Sequence, residues 1–137
     1  MKKQYSYFDH DADIGIIGYG PTPESAFVAA AEAMFAIMAD IRALSLSQCV
    51  AISFDESDVE LALVTWLNQL LTEARENGMV FGSFQLTRQG EHWQGNACGE
   101  VWRDALERGT EVKGATLTML SVKQEGDAWA ASCVVDV

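Results

Sequence analysis

The chain has 137 residues, of which 49% are hydrophobic and 21% are charged. This length can bury a core within one domain, 1–137, and the composition excludes disordered and fibrous proteins. With 9 Lys and Arg against 20 Asp and Glu, the net charge is −11. Such a surface repels phosphate backbones, so we expect basic proteins or divalent cations as partners and no direct binding of nucleic acid, although acidity also serves solubility.

The beginning of the chain predicts two short strands, about 4–9 and 13–18, followed by a turn at Gly18–Pro21. A first helix is predicted over 23–39, with Thr22 as its N-cap. Its apolar stripe indicates core, and its small opposite side indicates that another layer approaches closely. The stripe consists of Phe27, Ala30, Met34, Ile37, Met38 and Ile41, and the small side of Ala29, Ala33 and Ala36.

A strand at about 47–54 and a largely buried second helix at about 59–75 come next, and Asn77–Gly78 stops the helix. The remainder alternates as further strands, predicted at about 80–88, 91–102, 111–124 and 128–137. The predicted class is α+β, a single domain with mixed or antiparallel β-sheet layers packed against two main helices, 23–39 and 59–75. Core packing is expected for the tryptophans, Trp66, Trp93, Trp102 and Trp129.

The three cysteines are scattered, odd in number and without close pairs. They predict neither a disulfide framework nor a zinc site, and we expect buried thiols at Cys49, Cys98 and Cys133. Met1–Tyr5 lacks an apolar signal region, and no apolar run approaches the roughly 20 residues of a spanning helix. A cytoplasmic protein without membrane contact is expected.

Three carboxylates lie close together near the beginning of the chain. If this segment is extended, Asp9, Asp11 and Asp13 project to one face and His10 to the other. The cluster is either a solvated turn or a site where a cation or a lysine neutralises the charge. For His10, a buried hydrogen-bonding role that holds the turn is favoured over metal ligation.

The terminal hairpin predicts a second part of the same site. Pairing about a turn near Gly126 brings Lys113 and Asp136 together across an antiparallel ladder. If the acidic segment meets this hairpin, Asp13, Asp136 and the free carboxylate of Val137 offer oxygens that suit magnesium or calcium better than zinc. Lys113 would offset the remaining charge or grip an acidic group of a partner, or form only a weak cross-strand ion pair. No standard catalytic motif is present.

Four segments, Tyr7–Gly15, Gly20–Phe27, Gly109–Thr116 and Trp129–Val137, resemble the archease family in order and spacing. The resemblance covers essentially the whole chain and implies an archease-like domain. It further implies an activator, not an enzyme, that promotes metal-dependent guanylylation and multiple turnover of an RtcB-type RNA ligase in tRNA splicing and RNA repair. The protein would then contact RNA only indirectly, through the ligase.

By position, the resemblance assigns metal handling and ligase activation to Asp13, Lys113 and Asp136, with His10 and Asp11 in the same motif. Asp11 stands where threonine is usual in the family, which adds negative charge beside Asp13 and bears on ion preference. Two alternatives remain open from the sequence. One is a general chaperone or scaffold, and the other is a small metal-dependent hydrolase.

Overall fold

The computed structural model describes residues 4–137. The strands are β1 Tyr5–His10, β2 Asp13–Gly20, β3 Gln48–Asp55, β4 Met79–Gln89, β5 His92–Val101, β6 Gly114–Ala115, β7 Ser121–Glu125 and β8 Ala128–Asp136. The helices are α1 Pro23–Met38 and α2 Val59–Asn77, and a short 3-10 turn covers Ile41–Ala43.

The described strands pair antiparallel in two sheets. The first sheet has the order β1-β2-β8-β6, with β7 also paired to β8, and the second has the order β3-β5-β4. Both helices contact strands of both sheets, so they lie between the two sheets. The predicted α+β class with two main helices is confirmed. No helix within residues 4–137 is long and apolar enough to cross a membrane.

Local capping explains where the helices begin and end. The Thr22 hydroxyl accepts a hydrogen bond from the Ser25 N–H at the start of α1, and Asp58 accepts from the N–H groups of Glu60 and Leu61 at the start of α2. Gly78 ends α2 in the left-handed conformation, with φ 61°. The second helix therefore runs two residues further than predicted, as far as the glycine allows.

The core is built around α1, which packs closely against the first sheet. Gly18 of β2 lies against the backbone of Ala26 and Ala30, an approach that only a residue without a Cβ permits. On another side of α1, the buried Trp66 indole donates a hydrogen bond to the Phe27 carbonyl at 3.1 Å. Trp93 is also fully buried, and the other two tryptophans pack half-buried against the core, which confirms their expected role.

The strand predicted over 111–124 is wrong in most of its length. Only β6 and β7 are strands there, and residues 102–113 form a loop that crosses the end of α1. The N–H groups of Gly109 and Thr110 donate to the carbonyls of Met38 and Ile37 at 2.8 and 3.0 Å. These bonds satisfy carbonyls that the helix end leaves unpaired, and this explains why the segment leaves the sheet.

The expectation of three buried thiols is also wrong. Cys49 of β3 lies directly opposite Cys98 of β5, and the two form a disulfide. Cys133 is a buried free thiol, and burial raises its pKa to about 12. The disulfide escaped prediction because its two cysteines are 49 residues apart and meet only through the strand register.

Candidate metal and partner-binding site

The acidic segment is a hairpin, not one extended strand. Asp11 and Ala12 form its tip, His10 pairs with Asp13, and Asp9 pairs with Ile14. Because directly paired residues share a face, His10 and Asp13 lie on the same face and Asp9 lies on the other. The prediction that the aspartates face one way and His10 the other is therefore wrong. The backbone reverses at Asp11, whose φ of 53° is one that aspartate tolerates.

His10 is not the buried hydrogen-bonding residue that the sequence suggested. Its side chain is 37% exposed, and its Nδ1 atom lies 4.0 Å from a carboxylate oxygen of Asp11. That distance is too long for a hydrogen bond. The imidazole therefore borders the same face as Asp13 and remains accessible to a partner.

Asp13 meets the end of the chain, as the sequence suggested. β2 and β8 are central neighbours in the first sheet, with Ile14 opposite Val135. The Asp13 carboxylate accepts a hydrogen bond from the Val137 N–H at 3.2 Å. Asp136 follows Val135, so its side chain emerges on the same face as that of Asp13. Two carboxylate side chains and the end of the chain are thus brought together.

Lys113 lies beside this group, as the hairpin pairing predicts. Its N–H donates to the Asp136 carbonyl at 2.8 Å, and the next residue, Gly114, pairs with Asp136. Continuing the register of β7 would instead place Leu117 opposite Asp136. Three extra residues in the loop between β6 and β7 bring the backbone of Lys113 to the end of β8. Its side chain is exposed, and within residues 4–137 it forms no ion pair with the acidic group.

Two residues of α2 hold Lys113 and β6 in place, and the sequence reasoning missed both. Arg75 Nη2 donates to the carbonyls of Val112 and Lys113 at 3.0 and 2.5 Å. Asn68 accepts from the Ala115 N–H at 2.9 Å and donates to its carbonyl at 3.1 Å. Asn68 and Arg75 are seven residues apart, so they lie two turns apart on the same side of α2. Two polar residues on one side of a largely buried helix are the sequence signal that could have indicated their role.

The donor set is made of oxygens, in keeping with magnesium or calcium. Asp13 is half-buried and Asp136 is exposed, and Val137, the third ligand predicted from the sequence, lies next to Asp13. Within residues 4–137, no three His, Cys, Asp or Glu side chains are grouped so as to hold a metal. The main-chain carboxylate of Val137 would therefore have to complete the set with the two aspartates, which fits a weak site better than a tight one.

The model of the Archease protein family matches residues 5–137. The chain belongs to the archease family. A curated archease of Thermococcus gammatolerans is 33% identical to this archease, over 98% of this chain and 99% of its own length. An archease of Methanosarcina barkeri is 36% identical, over 98% of this chain and 97% of its own length.

Solved structures agree with this assignment. The solution structure of protein 1598 of Methanobacterium thermoautotrophicum is 28% identical and has a TM-score of 0.85, covering 99% of this chain and 100% of that chain. The crystal structure of a Thermotoga maritima archease, described as a possible chaperone, has a TM-score of 0.68 at 20% identity, over 95% of this chain and 94% of that chain. The second likeness concerns the fold alone.

Proposed function

We propose that this archease activates an RtcB-type RNA ligase by presenting the group of Asp13, Lys113, Asp136 and Val137 to a basic, metal-containing cleft of the ligase. The single observation that supports the proposal most is the hydrogen bond between Asp13 and Val137. It joins two of the segments that resemble the family motifs, and Lys113 joins the third through Asp136. The segments that carry the implicated residues are therefore neighbours in space, which supports the proposal.

Its negative charge makes the proposed site favour a divalent cation or a basic partner surface. The nearby carboxylates of Asp13, Asp136 and Val137 repel one another, and removing water on docking increases that repulsion unless a cation neutralises it. In the proposal, the exposed ammonium group of Lys113 offsets only part of this charge. A divalent ion or a basic partner surface would offset the rest, and a chain with net charge −11 attracts both.

A bound ion would be held by the two aspartates and the main-chain carboxylate of Val137. Such an ion would supply positive charge that offsets the phosphate groups in the ligase cleft. The chain's own residues do the remaining work in this proposal. Arg75 and Asn68 fix the backbone on either side of Lys113, which positions its ammonium group for an acidic group of the ligase or of GTP.

Direct RNA binding is not part of the proposal. Binding to a phosphate backbone relies on lysine and arginine displacing counterions, and this chain has 9 of them against 20 acidic residues. Gel-shift assays with the archease alone are therefore expected to show no sub-micromolar binding of RNA. Such binding would contradict an activator that reaches RNA only through the ligase.

The deciding experiment is a ligation reaction with an RtcB-type ligase, GTP and metal. Catalytic amounts of the archease are expected to convert the ligase from single to multiple turnover and to increase its guanylylation. An unchanged ligase would contradict the proposal. Two further assays test the alternatives, since broad suppression of aggregation would favour a general chaperone and metal-dependent phosphoester cleavage by the isolated archease would favour a hydrolase.

A further inference from the structure

A cavity of about 400 Å³ lies where the two helices end, behind the loop formed by residues 102–113. This volume falls within the range of small-molecule sites. The loop wall is fixed, because the Trp102 N–H donates to the Gly78 carbonyl at 2.9 Å and the Gly109 and Thr110 N–H groups bond the end of α1. The apolar lining comes from Phe35, Met38, Leu71, Met79, Val80 and Val112.

The rim of the cavity is basic, in contrast to the rest of the chain. Arg75 and Arg108 both line it, against one carboxylate, that of Glu111. The Arg108 guanidinium carbon lies 4.0 Å from the centre of the Trp102 ring, and this stacking orients the group. In the part of the chain that the structure describes, Arg108 has no ion-pair partner. Its donors are therefore available to a ligand.

We propose that this cavity binds a small organic anion with a flat, apolar body and a carboxylate, sulfonate or phosphate head. The body would fill the apolar lining beside the Trp102 ring, and the head would pair with Arg108 and with the donors of Arg75 that the protein leaves free. A guanidinium group presents parallel N–H donors, which match the oxygens of such a head.

Charge complementarity argues for an anion over a neutral or cationic occupant. The two guanidinium groups outnumber the single carboxylate at the rim, although the chain as a whole carries −11. The Arg75 side chain also holds the Lys113 carbonyl, so the cavity adjoins the proposed ligase-activating group. The binding proposal itself stands apart from that function and is tested without any ligase.

The test uses 8-anilinonaphthalene-1-sulfonate as an anionic probe and N-phenyl-1-naphthylamine as its neutral counterpart. Fluorescence and calorimetric titration are expected to give saturable binding of one sulfonate per chain. Arg108→Gln is expected to weaken binding of the sulfonate by about tenfold, because it removes a charged partner of the head. The affinity for the neutral probe is expected to stay the same. Ala74→Phe, which fills the cavity, is expected to weaken the binding of both probes.

Arg88→Gln provides a matched control. Arg88 also stacks on a tryptophan, with its guanidinium carbon 4.6 Å from the Trp93 ring centre, and it lies away from the cavity lining. Its loss is expected to leave both probes unaffected. Absent or non-saturable sulfonate binding would overturn the proposal, as would equal affinity in the Arg108→Gln and wild-type proteins. Circular dichroism of each variant shows that the compared proteins are folded, because loosened proteins also bind this dye.

Discussion

The Asp13 carboxylate accepts a hydrogen bond from the Val137 N–H, although the two residues are 124 positions apart. Asp13 begins β2 and Val137 follows β8, and these strands are neighbours in the first sheet. The N–H of Lys113 in turn donates to the Asp136 carbonyl. The candidate site therefore forms only when β2, β6 and β8 pair in the folded sheet.

The paired aspartates are expected to bind calcium or magnesium weakly. An Asp13→Asn, Asp136→Asn double variant should lose this binding, because amides keep the size of the side chains but remove their charge. Calorimetric titration measures the effect. Asp127→Asn, at the exposed tip between β7 and β8, serves as the control and should bind as the wild type does. Identical heats for the double variant and the wild type would remove the proposed metal site.

Lys113→Ala is expected to abolish stimulation of ligase guanylylation while the protein melts near the wild-type temperature. An exposed charge contributes below about 1 kcal/mol to the free energy of unfolding. The measurement is guanylylation of an RtcB-type ligase with GTP and metal, alongside a thermal melt. Lys123→Ala removes another exposed lysine, whose ammonium group lies 3.6 Å from Glu125, and should stimulate normally. Full stimulation by folded Lys113→Ala protein would refute the assigned role.

Reduction of the Cys49–Cys98 disulfide is expected to lower the free energy of unfolding by about 2–4 kcal/mol. The cross-link restricts the unfolded chain between residues 49 residues apart, and its loss restores that freedom. Urea unfolding with and without reductant measures the difference. Cys133→Ala should keep the same dependence on reductant. Titration of all three cysteines in unfolded, unreduced protein would show that the disulfide does not form.

Gly18→Ala is expected to lower the free energy of unfolding by about 1–3 kcal/mol or more. A methyl group there would collide with the backbone of Ala26 and Ala30, and neither β2 nor α1 can move without disturbing the core. Gly114→Ala is the matched control in the same sheet, because its added carbon would lie 3.6 Å from Asn68 Oδ1, an ordinary contact. Equal urea midpoints for both variants would contradict the close packing of β2 on α1.

Acidification is expected to destabilise the second sheet through Glu100. The Arg103 guanidinium, 2.6 Å away, and the Ser45 N–H hold the pKa of this carboxyl below its ordinary value of 4.5. A lowered pKa in the folded state means that the stabilisation is fully present above the unfolded pKa and is lost as pH falls through the folded pKa. Urea unfolding measured as pH falls below 4.5 should therefore show a free energy of unfolding that depends less on pH for Glu100→Gln than for wild type. The same pH dependence in both proteins would contradict the stabilising role of the Glu100 carboxylate.

Much of the fold could be predicted because its signals are local. The caps at Thr22 and Asp58 and the stop at Gly78 act within a few residues, and the apolar period of each helix reports the face that it buries. The terminal hairpin was also predictable, because its turn at Gly126 sets the approximate pairing of the last strand. The nearness of Lys113 and Asp136 followed only approximately from that pairing, because the register of β7 alone would place Leu117 opposite Asp136.

The failures share a different cause. The Asp11 turn reverses the chain within two residues, and that reversal places His10 on the same face as Asp13. The Cys49–Cys98 pair depends on the register between strands that α2 and β4 separate in sequence. The strand predicted from residue 111 begins only at Gly114, because the preceding loop is held at the end of α1, where Gly109 and Thr110 donate to the carbonyls of Met38 and Ile37.

The sequence by itself determined the class, the helices, most of the strands and the acidic and basic residues from which a site could be built. Periodicity and capping encode these features, because they depend on neighbours within one or two turns. Only the tertiary structure decided which of those residues meet, how Arg75 holds Lys113, and that a basic-rimmed cavity lies behind them. Such contacts join residues far apart in the chain, and their geometry depends on the packing of every intervening element.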